Sequence, residues 1–459
     1  MSSSWKQILK FSIPVSLIGV ADLLLIATDL FWVGLFTNDT EALTGIRLTS
    51  TVIVLIETVL IGVLTCLLIY VTQHFGAGNN KQSLRGIAGS FSFVIYAGIA
   101  ISIVGFLIHP FISGIFGIND STAKYLNDYL VVYFIGYIFL SLNNFLLLLP
   151  RYFQKVKIIF MGLGIAIVSN IILTPIIMYV FGQYNLSFLS AAAFGTIIAN
   201  ILCALFLIRK IFFKDYLELG LSREQLSFKL DGALLKENGA FIGSQIFTGL
   251  TFNVSMFIYM FILSFYPDDV LNTYSIATYV FVFFTVFSQN FATSLIPIVA
   301  QQIGQGKVKD IQILVKNMVT VLTVYGAIIA GVIVLARNTI AKGMATDPSL
   351  VPLFSDFFLY YSFPWVLNII SFIFIFVVSG AGDYKGGMYL TVSNMYIIVV
   401  ALLLLLPKMF TDVTIGVFIT LSIINVFTFA NTLAYYKLGK WKKTSLVEEK
   451  SDSERLEAV

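Results

Sequence analysis

Runs of about twenty residues that are apolar almost throughout recur twelve times along this chain. A run of that length is what a helix needs to cross the hydrocarbon core of a bilayer. The runs lie near residues 11–35, 48–72, 86–108, 125–149, 158–181, 186–208, 239–265, 273–299, 314–336, 355–379, 388–407 and 413–436. Helices are expected, because in lipid a helix satisfies its own backbone. A membrane β-barrel would alternate apolar and polar residues along each strand, whereas Ile397–Leu406 is apolar at every position. Composition agrees: 58% of residues are hydrophobic and 11% charged, against about 25% charged in a soluble domain. The predicted fold class is therefore an all-α integral membrane protein.

Several functions fall away at this stage. A net charge of +4 leaves no footprint for a nucleic-acid partner. Cys66 and Cys203 sit inside apolar runs, and His74 and His109 are far apart, so neither a disulfide framework nor a metal cluster is expected. No Gly-x-x-x-x-Gly-Lys-Ser/Thr phosphate loop occurs, and no soluble stretch is long enough for a nucleotide-binding domain. The first apolar run continues past the length of a signal peptide and shows no small-residue cleavage pattern, so it is expected to remain as the first span.

Orientation follows from the excess of Lys and Arg in cytoplasmic loops. Of 28 such residues, five (Arg47, Lys124, Arg337, Lys342 and Lys408) fall on one side of the twelve-span layout and 23 on the other, which also carries both ends of the chain. Both termini are expected in the cytoplasm, with the chain a multi-pass protein of the cell membrane.

The longest hydrophilic interruption, residues 209–238, divides six spans from six. The expected domains are an N-terminal six-helix lobe (1–208), a cytoplasmic linker (209–238), a C-terminal six-helix lobe (239–440) and a cytoplasmic tail (441–459). The halves echo each other. Val71-Thr-Gln-His-Phe-Gly-Ala-Gly-Asn79 after the second span matches Val299-Ala-Gln-Gln-Ile-Gly-Gln-Gly-Lys307 after the eighth in Val, Gln and two Gly, and Ser169-Asn170 of the fifth span matches Ser393-Asn394 of the eleventh. Repeats of this kind are the usual build of secondary transporters, with the substrate site between repeats.

Three acids interrupt the apolar runs: Asp22 and Asp29 in the first span and Glu57 in the second. A charge at mid-membrane costs roughly 2.5–3.5 kcal/mol by insertion scales, so such residues mark function more often than not. Asp22 and Asp29 are two turns apart on one helix face, and Asp29 and Glu57 are expected at similar depth. Withdrawal from water favours the protonated carboxyl, so a carboxyl there can take up and release a proton; with amide and hydroxyl oxygens around it, the same group can hold sodium. Structural roles compete: Asp29 near the outer helix end could face water, and Asp22 and Glu57 could hydrogen-bond between helices. No Lys or Arg lies deep in a span to pair with them.

Four segments carry a family resemblance. Asp29-Leu-Phe-Trp-Val-Gly34, Gln73-His-Phe-Gly-Ala-Gly-Asn79, Asn170-Ile-Ile-Leu-Thr-Pro175 and Ser379-Gly-Ala-Gly-Asp383 are similar, in order, to motifs of the multidrug and toxic compound extrusion (MATE) transporters, and the resemblance covers about residues 8–440. It implies two six-helix lobes, a central cavity and export driven by protons or sodium ions. The family's coupling residues on helices 1, 5 and 6 map to Asp29, Asn170, Thr174 and Thr196, with Thr174 standing where the family has an Asp. Acids that some members carry on helices 7 and 10 are absent; Asn253 and Asn368 lie near or at those places, and with Gln289 they are the expected substrate-cavity residues. Asp22 or Glu57 would supply a second carboxylate.

The function expected is export of small organic molecules, cationic or amphipathic, by antiport with H+ or Na+. The expected partners are a small-molecule substrate and the lipid bilayer, with no nucleic acid, no cofactor beyond the coupling ion and no metal, and the chain acts as a monomer. A flippase for a lipid-linked cell-envelope precursor is the nearest competitor. It would have to cover a pyrophosphate, and the spans lack Arg or Lys for that. An intramembrane enzyme would need convergent catalytic groups, and the two histidines fall at opposite membrane faces.

Overall fold

The computed structural model describes residues 3–37, 39–345 and 347–447, and among these it leaves the side chains of residues 3, 4, 20–27 and 223 undescribed. No strand occurs among the described residues. Eleven helices are long and apolar enough to cross a membrane, and Ile13–Thr37, with 25 residues, is a twelfth of membrane length. In chain order they are α1 (Ile13–Thr37), α2 (Thr40–Gly76), α3 (Asn80–Phe116), α4 (Asp120–Tyr152), α5 (Val156–Gln183), α6 (Phe188–Ile211), α7 (Gly239–Leu263), α8 (Asp268–Gly304), α9 (Val308–Met344), α10 (Pro348–Gly380), α11 (Tyr384–Met409) and α12 (Val413–Lys443).

Four of these helices run to 37 residues, about 55 Å at 1.5 Å per residue, which is well beyond a hydrocarbon core of about 30 Å. In α9 the charged residues sit in the overhanging turns, Lys309, Asp310 and Lys316 at one end and Arg337 and Lys342 at the other. Side chains start the helices that need starting. Asn79 and Asn119 accept from the amides of Gln82 and Thr122 at the heads of α3 and α4, and Asp383 and Asp412 do the same for α11 and α12.

Prolines fall inside spans because neighbours take up the carbonyl they free. Pro364 of α10 has no N–H for the Tyr360 carbonyl, and Ser422 of α12 donates to that carbonyl at 2.8 Å. In α8, Pro297 follows a break at Ser294, where the regular helix Asp268–Thr293 gives way to Leu295–Gly304.

The chain forms two compact units. One holds Ile18–Phe75 and Asn79–Ile242; the other holds the described residues from Gly243 onward, with Gly76–Gly78 and the described residues up to Leu17. Each lobe repeats one packing order. In the first, α3 packs on α4, α4 on α6 and α5 on α6; in the second, α9 packs on α10, α10 on α12 and α11 on α12. The internal repeat seen in the turn motifs is thus a repeat of helix packing.

The segment expected as a linker groups with the N-terminal unit and extends to Ile242. Side chains explain why. Arg85 of α3 clamps Asp231 through two nitrogens, at 2.6 and 3.1 Å, and reaches Glu237 at 3.4 Å. Leu234, fully buried, lies on Gly89 so closely that a Cβ there would stand 2.5 Å from it. Lys155 pairs with Glu218 at 3.0 Å.

Candidate functional site

Asp29 lies in the last third of α1, 8% exposed, and its carboxylate collects donors from three other helices. Thr196 Oγ1 of α6 donates to Oδ2 at 2.9 Å, Tyr129 of α4 donates its hydroxyl to Oδ2 at 3.2 Å, and Asn170 Nδ2 of α5 donates to Oδ1 at 3.3 Å. Asn170 Nδ2 also donates to Thr196 Oγ1 at 3.0 Å, which closes the cluster. Hydrogen bonds to a charged group contribute about 1.5–3 kcal/mol each, so three of them are the scale needed to hold a carboxylate inside the membrane.

The cluster continues along α6 and α4. Asn200 Nδ2 donates to the Thr196 carbonyl at 2.8 Å, and Asn143 Nδ2 donates to Asn200 Oδ1 at 2.6 Å. Three buried oxygens around it have no hydrogen-bond partner: Asn170 Oδ1, Thr174 Oγ1 and Asn143 Oδ1. Buried polar atoms left single are uncommon and call for an explanation; a bound cation would be one, since cations take such oxygens as ligands. Thr174 itself does not reach Asp29. It packs against Gly195, where a Cβ would come within 2.3 Å of its hydroxyl, and so sets the close approach of α5 and α6 one residue before Thr196.

Of the sequence-derived coupling residues, the fold brings Asp29, Asn170 and Thr196 together and sets Thr174 beside them. Glu57, expected at the depth of Asp29, meets a different partner: Tyr133 of α4 donates to its Oε1 at 3.4 Å, four residues and about 6 Å along α4 from Tyr129. The side chain of Asp22 lies outside the described residues. Asn253 donates to the Gly249 carbonyl of its own helix at 3.0 Å, and Gln289 and Asn368 are half-buried on α8 and α10; none of these three lines the cavity described next.

That cavity, of about 440 Å³, lies within the N-terminal unit. Asp29, Glu57, Tyr129, Tyr133, Asn143 and Asn170 line it among mostly aliphatic side chains, with Arg151 of the last turn of α4. Its size falls in the range of small-molecule sites, about 300–1,000 Å³.

Tyr129 and Tyr133 were missed from sequence, although a signal was there. Tyr125, Tyr129, Tyr133 and Tyr137 recur every fourth residue, a spacing that puts them on one helix face. The first three each donate to an acid: Tyr125 to Asp39 at 2.8 Å, Tyr129 to Asp29 and Tyr133 to Glu57.

The fold matches solved transporters throughout. A Vibrio cholerae MATE transporter, VcmN in its bent form, superposes with a TM-score of 0.84 at 16% identity, over 95% of this chain and 97% of that one. A MOP superfamily transporter from Pyrococcus furiosus gives 0.83 at 17%, over 96% and 97%. In sequence, the multidrug export protein MepA of Staphylococcus haemolyticus is 24% identical over 428 residues, covering 88% of this chain and 87% of that protein, and MepA of Staphylococcus aureus is 24% identical over 418 residues, covering 88% of each. The MatE family model matches residues 14–176 and 245–405, one stretch in each half, and the chain belongs to that family of multidrug and toxic compound extrusion transporters.

Proposed function

We propose that this protein exports small organic compounds, amphipathic or cationic, from the cell by antiport with protons or sodium ions, and that Asp29 is the carboxylate that takes up the coupling cation. One observation carries the assignment: a buried carboxylate held by donors from three helices. A cation or proton there changes the charge at the point where α1, α4, α5 and α6 meet. A ligand shifts a conformational balance only through its different affinity for the two states, and a site shared by four helices feels any movement among them. The name borne by the MepA relatives, multidrug export protein, supports a drug-like cargo. The concentration of Lys and Arg on one side supports cytoplasmic termini in the cell membrane.

The flippase reading fits the cavity less well. A pyrophosphate would face two carboxylates, Asp29 and Glu57, against one cation, Arg151.

The test is transport in proteoliposomes under an imposed proton or sodium gradient. Asp29→Asn removes the charge and keeps the shape. It should abolish gradient-driven export while the protein still folds and binds substrate; export at the wild-type rate would make Asp29 a structural residue. The gradient that drives wild-type export identifies the ion.

A further inference from the structure

Glu57 shares the cavity with Asp29 but is held differently. Asp29 accepts three hydrogen bonds, from Thr196, Tyr129 and Asn170. Among its partners Glu57 accepts from the Tyr133 hydroxyl at 3.4 Å, long against the usual 2.7–2.8 Å or so for a hydroxyl donor. The ring of Tyr133, which meets the carboxylate through its hydroxyl, is stacked with that of Tyr129 at 6.3 Å between centroids, and both residues line the cavity. On its own helix, the residues that line the cavity one turn either side of Glu57 are aliphatic: Ile53, Val54 and Ile61.

We propose that Glu57 is a specificity-determining residue, which receives the positive charge of a lipophilic organic cation in this cavity and is not part of the coupling site at Asp29. The proposal rests on the export function above and divides its two charges between two acids. An organic cation fits Glu57 for three reasons. Its charge is spread and weakly hydrated, so entry to an apolar cavity costs it less than it costs a compact ion. Phenol faces attract it, by about 0.5–2 kcal/mol per contact. Its apolar body replaces water along the aliphatic wall. A small ion brings no apolar body to that wall, and meets more oxygens at Asp29, where the hydroxyls of Thr196 and Tyr129 converge on the carboxylate. Charge couples the two sites: with Asp29 carrying its cation, the cavity has one negative charge fewer to attract the organic cation.

The probes are tetraphenylphosphonium and tetraphenylborate, which have nearly the same shape and opposite charge. In the wild-type full chain, a hydrophobic carbodiimide modifies membrane carboxyls, and mass spectrometry reads Glu57 and Asp29 on different peptides. Saturating tetraphenylphosphonium should slow modification of Glu57 by about tenfold or more, and tetraphenylborate should leave it unchanged. In equilibrium binding to purified protein, Glu57→Gln should weaken tetraphenylphosphonium by about tenfold, equivalent to about 1.4 kcal/mol, and leave tetraphenylborate as tight or tighter. Glu57→Asp, with the charge kept, should recover part of the loss. A structural Glu57 gives another pattern: both probes fall together with Tm, and Asp does no better than Gln. That pattern, unchanged phosphonium binding in Glu57→Gln, or an unprotected Glu57 in the wild type would overturn the proposal. The wild-type labelling stands even where a variant does not fold. None of these measurements uses a gradient, so failure of Asp29→Asn to impair export would sink the coupling assignment and leave the charge preference at Glu57 to be read independently.

Discussion

A carboxylate persists inside a membrane when its neighbours supply the hydrogen bonds that water would have given. At Asp29 the neighbours are Thr196, Tyr129 and Asn170, and Thr196 is central because it both donates to Asp29 and accepts from Asn170. Thr196→Val keeps the shape and removes both bonds. Gradient-driven export should fall by about tenfold to a hundredfold, the equivalent of one charge-assisted hydrogen bond, with folding retained in size-exclusion profiles. Unchanged export would show that Thr196 only glues α1, α5 and α6 together. Asp231, outside the spans, is governed by charge pairing: the Arg85 guanidinium beside it holds its carboxyl below the usual carboxylate range. A group with its folded pKa depressed adds stability above its unfolded pKa, about 3.9, and loses it as pH falls through the lower folded value. The clasp on residues 231–237 should therefore hold at neutral pH and release only in acid below about pH 4. Amide exchange in residues 232–242 reads this directly. Arg85→Gln should raise that exchange at pH 7; if it does not, Leu234 packing alone holds the segment.

At the scale of elements, small residues decide how near two helices come. A Cβ at Gly195 would meet the Thr174 hydroxyl at 2.3 Å and the Thr174 Cα at 3.0 Å, whereas one at Gly164 would meet nothing within 4 Å. The first contact involves backbone and cannot be relieved by a rotamer change. Overpacking of this kind costs about 1–3 kcal/mol. Gly195→Ala should thus lower Tm by several degrees and weaken export, because it moves Thr196 off Asp29, while Gly164→Ala should do neither. Equal thermal melts for the two variants would show that α5 and α6 can part without cost. The same logic fixes the segment before α7: Gly89 admits Leu234, so a stretch that reads as a hydrophilic linker is seated on α3 by Leu234, by Phe228 against Phe91 and by the pairing of Arg85 with Asp231 and Glu237.

At the scale of the whole molecule, two six-helix lobes with the same internal packing order and a strongly one-sided charge distribution define a topology. Single cysteines at Asp39, Asp268 and Lys342 should react with an impermeant reagent added outside intact cells, and one at Arg223 should not. Labelling of position 223 from outside would overturn the orientation. The lobes also set where the chain can be divided. The clasp ends before α7 begins at Gly239, so halves separated after Asn238 should assemble more fully than halves separated at Asp231, inside the clasp; equal yields of co-purified halves would argue that the clasp is not needed for assembly.

Hydropathy is local, and so the number of spans, their helical nature and the two halves could be read directly from the residues. Charge is conspicuous in lipid, and so Asp29, Asp22 and Glu57 stood out. The resemblance to MATE motifs added Asn170 and Thr196, and these do meet Asp29. The partners of the acids were another matter. The spacing of Tyr125, Tyr129, Tyr133 and Tyr137 shows a shared face, but not which helix that face meets, because the rotation of a helix in an apolar bundle is set by packing among side chains that all look alike in hydropathy. Helix rotation is what sent Tyr129 to Asp29 and Tyr133 to Glu57, and thereby put two carboxylates that look equivalent in sequence into two different environments. The hydrophilic stretch after α6 likewise looked like a tether, since its ion pairs to α3 join residues about 146 positions apart. Composition and periodicity decide what must lie in lipid; only contacts between distant segments decide which polar group each buried charge will meet.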